Sequence, residues 1–290
     1  MVYARKLRSS RLARIAATFP TLLVGLTASI NASSALAESL ENVKANGAII
    51  AIANEPPWMR IDENGSPAGL GPEIDEAILK EAGITKVTGQ LMEYGAMIPA
   101  LQSGRATMSS SQGLYIKPER CEAVLFSDPV TCGGEGFILP IALGSKVKTY
   151  KDVADQSLRI GLAGGTTEQK LAIEAGVKDE NIVIFPDGTT GMKLLLDKRI
   201  DVFALDSGAS ADLQKRLGNP AVTQFVRVEG VKPSCGGAAF SKDNAELRDA
   251  YNRGLAKIKA SGKFYEIYKK YGSESYMGTD DITTKQLCTK

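Results

Sequence analysis

Between Ala48 and Leu205 the chain passes twice through the same succession of short apolar runs and amphipathic stretches, and this recurrence limits its possible folds more than any other feature. In the first pass Ala48–Ala53 reads as a strand and Glu73–Ala82 as a helix, with Ile74, Ile78 and Leu79 on one face. Pro72 stands at that helix's start, where a missing N–H costs nothing. Val87–Met92 is a second strand, Met97–Gln102 a helix ended by Gly104, and Ala106–Ser109 a third strand. The order restarts after Tyr150, with strands at Arg159–Leu162, Ile182–Phe185 and Asp201–Leu205 and helices at Glu168–Glu174 and Gly191–Leu196. Strands alternating with helices imply an α/β architecture with crossover connections, here as two βαβαβ units.

Between the units Phe126–Pro140 lacks helical periodicity, and a related segment returns about a hundred residues later. Cys132-Gly-Gly-Glu-Gly-Phe137 and Cys235-Gly-Gly-Ala-Ala-Phe240 share a Cys-Gly-Gly-x-x-Phe frame. Two extended segments with matching punctuation, one entering and one leaving the second unit, are what a two-strand hinge requires. From Asn244 the chain turns helical to about Ser261, and Phe264–Tyr271 follows; both are expected to return to the first unit.

Residues 1–37 have a different character. Arg5, Lys6, Arg8, Arg11 and Arg14 precede the mostly apolar stretch from Ile15 to Ile30, and Ala35-Leu36-Ala37 supplies the small residues of a cleavage point. This is the layout of a secretory signal peptide, with cleavage expected after Ala37. Its five ionisable residues are all basic, so the 35 basic residues fall to 30 against 33 acidic ones. The net charge of about −3 that remains gives no support for nucleic-acid binding. Cys121, Cys132, Cys235 and Cys288 all lie in the exported part, where disulfides persist; two bridges are expected and three connectivities are open. The chain has no histidine, which removes His-based triads and HExxH metal sites together. No metal and no cofactor is expected.

Several motifs resemble one family. Ala53-Asn-Glu-Pro-Pro-Trp58, Glu93-Tyr-Gly-Ala-Met-Ile-Pro99, Lys117-Pro-Glu-Arg-Cys121 with Phe126-Ser-Asp-Pro129, Gly164-Gly-Thr-Thr-Glu168, Phe185-Pro-Asp-Gly188 and the closing Gln286-Leu-Cys288 are similar to extracellular solute-binding proteins of polar amino-acid ABC importers. Within that family the chain looks most like the ectoine and hydroxyectoine binders. The resemblance implies a type II periplasmic binding protein fold, with two lobes, a two-strand hinge and a cleft between the lobes. Residues 38–133 and 234–290 would form lobe 1, and residues 134–233 lobe 2. The repeated frames would set Cys132 beside Cys235 on neighbouring hinge strands, which leaves Cys121 for Cys288.

In the family, the Arg of the Lys-Pro-Glu-Arg motif grips the ligand carboxylate, a role that falls on Arg120; a guanidinium fork matches a carboxylate bidentately. Ser111 and Gly113 would offer backbone groups to the same ligand. Trp58, Tyr94 and Tyr115 correspond to ligand-facing aromatics and would cage a diffuse cation, while Glu55 would accept from a ligand N–H. Thr167, with Thr166 beside it, would reach the carboxylate from lobe 2 at a helix N-terminus. Asp206 departs from the ectoine binders: it favours a ligand with a true amino or guanidino group, and it also suits the N-cap of a helix over Ser207–Leu213. Asp187 is a further candidate that also fits a turn.

The function implied is that of a non-enzymatic, monomeric periplasmic receptor of a Gram-negative cell, which passes a small zwitterionic solute to an inner-membrane ABC permease. The alternative is a cyclohexadienyl (arogenate/prephenate) dehydratase on the same fold, which would need a general acid such as Glu55.

Overall fold

Each of the two expected βαβαβ units builds its own sheet around its first strand in the computed structural model, which describes Ser39–Thr289. The signal peptide read from residues 1–37 lies outside the described residues. In the first sheet Ala48–Ile52 runs between Val87–Leu91 and Met108–Ser109, all parallel. In the second, Ile160–Ala163 runs between Ile182–Phe185 and Val202–Asp206, also parallel. Glu135–Pro140 and then Thr223–Arg227 extend this sheet with antiparallel pairing. The central strands Ala48–Ile52 and Ile160–Ala163 are almost wholly buried, which is why they read as continuous apolar runs and do not alternate.

Three helices begin earlier than their apolar period suggests. Leu70–Glu81 starts at Leu70, Tyr94–Gln102 at Tyr94 and Gly188–Leu196 at Gly188, because their first turns carry glycine and polar residues that bear no period. Short helices at Leu40–Asn46, Pro118–Ala123 and Tyr150–Asp155 escape a periodicity reading altogether, being only six or seven residues long.

The two Cys-Gly-Gly segments lie side by side. Thr131–Gly133 pairs antiparallel with Ser234–Gly236, with Cys132 directly opposite Cys235, and the two sulfurs are bonded. Cys121–Cys288 is the second bridge and ties the C-terminal tail to helix Pro118–Ala123. Helix Ala245–Ala260 returns to the first sheet, burying Leu247, Tyr251, Leu255 and Ile258 against helix Leu70–Glu81. Among the described residues no helix is long and apolar enough to cross a membrane.

In both sheets the first strand lies between the second and third, so the chain leaves adjacent strand ends in opposite directions and opens a crevice beyond the carboxyl ends. Glu55–Trp58, Tyr94 and Ser110–Tyr115 follow the three strands of the first sheet; Gly164–Thr167, Asp187 and Asp206 follow or end those of the second.

One buried carboxylate fixes the last loop of the first sheet. Asp75 on helix Leu70–Glu81 accepts from Tyr251 Oη at 2.6 Å, from Ser110 Oγ at 2.8 Å and from the Ser111 amide at 3.1 Å. Burial raises its pKa from 3.8 to about 6, although the three donors pull the other way. A raised carboxyl pKa supports the fold fully below its unfolded value and progressively less as pH rises through its folded value. In Asp75→Asn the fall in stability between pH 3.8 and about 6 should therefore shrink, by as much as about 3 kcal/mol in urea unfolding at a series of pH values. Parallel pH profiles for parent and variant would show that Asp75 is not the group responsible.

Candidate functional site

The strand ends enclose a pocket between the two sheets. From the first sheet it is lined by Glu55, Trp58, Tyr94, Gly113, Tyr115 and Arg120, and from the second by Thr166, Thr167 and Asp206. The two remaining sequence candidates lie elsewhere. Ser111 is fully buried, with its amide turned to Asp75 in the core. Asp187 accepts from the Thr190 amide at 2.9 Å as the N-cap of helix Gly188–Leu196, so its oxygens serve the helix and not the pocket.

Arg120 stands at the meeting of the two halves. Nη1 donates to the Tyr115 carbonyl at 2.9 Å, and Nη2 donates to the Gly165 carbonyl of the other half at 3.0 Å. Both acceptors are neutral carbonyls, so the side chain keeps further N–H donors for an anion. Burial lowers its pKa, opposed by Glu168 and Glu119. Around it the halves touch backbone to backbone: Gly165 has φ +77°, and a Cβ there would stand 2.7 Å from Gly95 Cα. At the rim Lys170 Nζ meets Glu119 at 2.6 Å, an exposed pair worth about 0–1 kcal/mol.

The aromatic walls surround the guanidinium. Trp58 is 5% exposed and meets Tyr276 edge-on, with ring centroids 5.3 Å apart. Its Nε1 donates to both oxygens of Asp206 at 3.0 Å. Asp206 also caps helix Ser207–Leu217, accepting from the Gly208 and Ala209 amides. Tyr115 is held neutral, as burial and then Glu135 push its pKa well up.

Four carboxyl groups make the pocket's field. Burial, then the charge of Asp206, raises Glu55 well above the ordinary range. Glu168 in the first turn of helix Thr167–Glu174 is also raised by burial, against its own hydrogen bonds. Glu135 stands across the strand pair from Asp206; it is 1% exposed and neither oxygen meets a donor group. Burial and then the neighbouring Glu168 push the Glu135 pKa well up. Lys117 is partly buried too and donates to Ser234 Oγ at 2.8 Å. Among the described residues no group of three or more His, Cys, Asp or Glu could hold a metal ion. The arrangement therefore suits a dipolar guest, with its acid group at Arg120 and the N-terminus of helix Thr167–Glu174, and its cation among the carboxyls and aromatic faces.

Sequence reasoning missed Glu135, Glu168 and Tyr276. The two glutamates stand inside motifs it singled out, after Cys132-Gly-Gly and after Gly164-Gly-Thr-Thr, and an acidic residue inside an otherwise small, uncharged loop was the available signal. Tyr276 reaches the pocket from the C-terminal tail, and nothing local in the sequence marks it.

Residues 48–274 match the bacterial extracellular solute-binding proteins, family 3. A probable amino-acid ABC transporter periplasmic-binding protein of Sinorhizobium fredii is 32% identical over 99% of this chain and 95% of its own length. The crystal structure of EhuB in complex with hydroxyectoine superposes with a TM-score of 0.81 at 41% identity, covering 87% of this chain and 98% of that one. An ancestral arginine-binding protein bound to arginine gives 0.68 at 30% identity, over 77% and 96%.

A cation arriving beside Glu55 favours its ionised form, so binding should expel a proton while the pH lies below the raised pKa. Titration calorimetry with hydroxyectoine or arginine in two buffers of different ionisation enthalpy should show proton release in the parent and less in Glu55→Gln. Equal proton counts in both proteins would remove Glu55 from the cation's surroundings.

Proposed function

The chain belongs to family 3 of the bacterial extracellular solute-binding proteins, and from that premise we propose that it is the periplasmic receptor of an ABC importer for ectoine, hydroxyectoine or a polar amino acid. It works as a monomer after removal of residues 1–37, with residues 38–133 and 234–290 as one lobe and 134–233 as the other. Its partner is the inner-membrane permease that reads the closed form.

The observation that carries this reading is the position of Arg120. A half-buried guanidinium, with only carbonyl acceptors and one of them on the opposite half, attracts any carboxylate that joins it and ties that carboxylate to closure. Thr166 and Thr167 add the N-terminal end of a helix from the second half. Trp58, Tyr94 and Tyr115 supply faces for the positive end of the solute, each worth about 0.5–2 kcal/mol to a cation. Contacts that exist only when both halves meet the guest are what drive a two-state cleft shut.

The raised pKa of Glu55 is the property a dehydratase would ask of its general acid. The relatives, however, are named as binding proteins, the Sinorhizobium fredii protein and the lysine/arginine/ornithine-binding protein of Escherichia coli among them. The chain is accordingly read as a binder, with no catalytic residue assigned.

Replacing Arg120 by alanine should weaken hydroxyectoine or arginine by at least about 2 kcal/mol, roughly thirtyfold, because the guest's acid group would be buried without a partner. Calorimetric affinity unchanged from the parent would dismiss this role.

A further inference from the structure

We propose that Trp58, Asp206 and Gly208 form a clasp between the two halves, in which Asp206 is committed to the indole and is not the anchor of the guest's cationic group. This rests on reading the pocket as a solute site and narrows the class of solute.

Three observations support the clasp. First, Trp58 leaves the first sheet and Asp206 ends a strand of the second, so the bonds from Nε1 to Oδ1 and Oδ2, both 3.0 Å, cross the cleft. Second, one oxygen of the acceptor is filled by fixed donors. Oδ1 takes the Gly208 amide at 2.8 Å and the Ala209 amide at 3.1 Å as well as the indole, while Oδ2 takes the indole alone, and Glu55 stands beside the same carboxylate. A primary ammonium needs several acceptors around one nitrogen, and here it would have to share Oδ2 with the indole. Third, the indole lies directly on the first turn of helix Ser207–Leu217. A Cβ on Gly208 would overlap Trp58 Cζ2 and stand 2.9 Å from Cη2, so the ring seats only because residue 208 has no side chain. Gly208 is in a helix, where alanine is favoured over glycine, and its φ is not in the left-handed region. The close approach of the ring accounts for it.

With Asp206 bonded to the indole, the carboxyls left in the pocket lining to meet a cation are Glu55 and Glu168, beside the aromatic side chains. That suits a compact zwitterion whose positive charge is delocalised or carried on a ring, better than one bearing a free primary ammonium.

Trp58 is the single tryptophan of the chain, so its fluorescence reports the clasp directly. In Gly208→Ala, acrylamide should quench Trp58 more strongly than in the parent, with or without solute. Calorimetry should show Gly208→Ala binding hydroxyectoine about tenfold or more weakly than the parent, yet Trp58→Phe/Gly208→Ala within about threefold of Trp58→Phe, since residues in contact are non-additive. The double variant also shows that alanine at 208 is compatible with folding. Asp206→Asn keeps an oxygen for the indole, and its cost to arginine, which carries a free ammonium, should stay within about threefold of its cost to hydroxyectoine. The clasp is overturned if quenching is the same in Gly208→Ala and the parent, or if the Gly208→Ala loss persists in full beside Trp58→Phe. The commitment of Asp206 is overturned if Asp206→Asn costs arginine tenfold or more beyond what it costs hydroxyectoine. A parent that binds neither solute while Gly208→Ala still exposes Trp58 would keep the clasp and defeat the receptor reading instead.

Discussion

The structure depends on a half-buried guanidinium without a counter-ion at bonding distance. Arg120 is stabilised by two carbonyls, one from each half of the molecule. Neutral acceptors offset only part of the cost of taking a charge out of water, and the remaining deficit is what a carboxylate guest relieves. On the proposed reading affinity and closure are one free energy, because one of the two carbonyls that hold Arg120 comes from the other half.

The acidic side of the pocket has the converse problem. Glu55 and Glu135 are crowded beside Asp206, and burial together with the neighbouring carboxylates favours their neutral forms until a cation arrives. A single dipolar molecule lying between Arg120 and this group would satisfy both at once. Neither a simple anion nor a simple cation would do so, which is why the proposed guest is a zwitterion. The backbone contact of Gly165 with Gly95 and the seating of Trp58 on Gly208 set how closely the halves approach while this happens.

Much of this was readable from residue order, and the part that was not has a common cause. The strands Ala48–Ile52, Ile160–Ala163 and Val202–Asp206 are largely buried and announce themselves as apolar runs between turns. Position after a strand then brought Glu55, Tyr94, Tyr115, Thr167 and Asp206 to the same crevice, because a parallel sheet collects its strand ends on one side. What residue order does not carry is the direction of a side chain within a loop. Ser111 follows the same strand as Tyr115 yet turns inward to Asp75, and Asp187 follows a strand yet is used up by its own helix. Asp206 shows both roles in one residue, cap and interlobe acceptor, which a choice between cap and ligand contact could not anticipate. Tyr276 comes from about 160 residues beyond Tyr115, and only the tertiary path of the tail brings it there.

The most direct test is a crystal structure of the protein grown with hydroxyectoine. The account requires the solute's carboxylate within about 3 Å of the Arg120 guanidinium, the halves closed on it, and the Trp58 indole still bonded to Asp206. A structure in which Arg120 points to solvent, or in which the solute's cationic group has replaced the indole on Asp206, would contradict it.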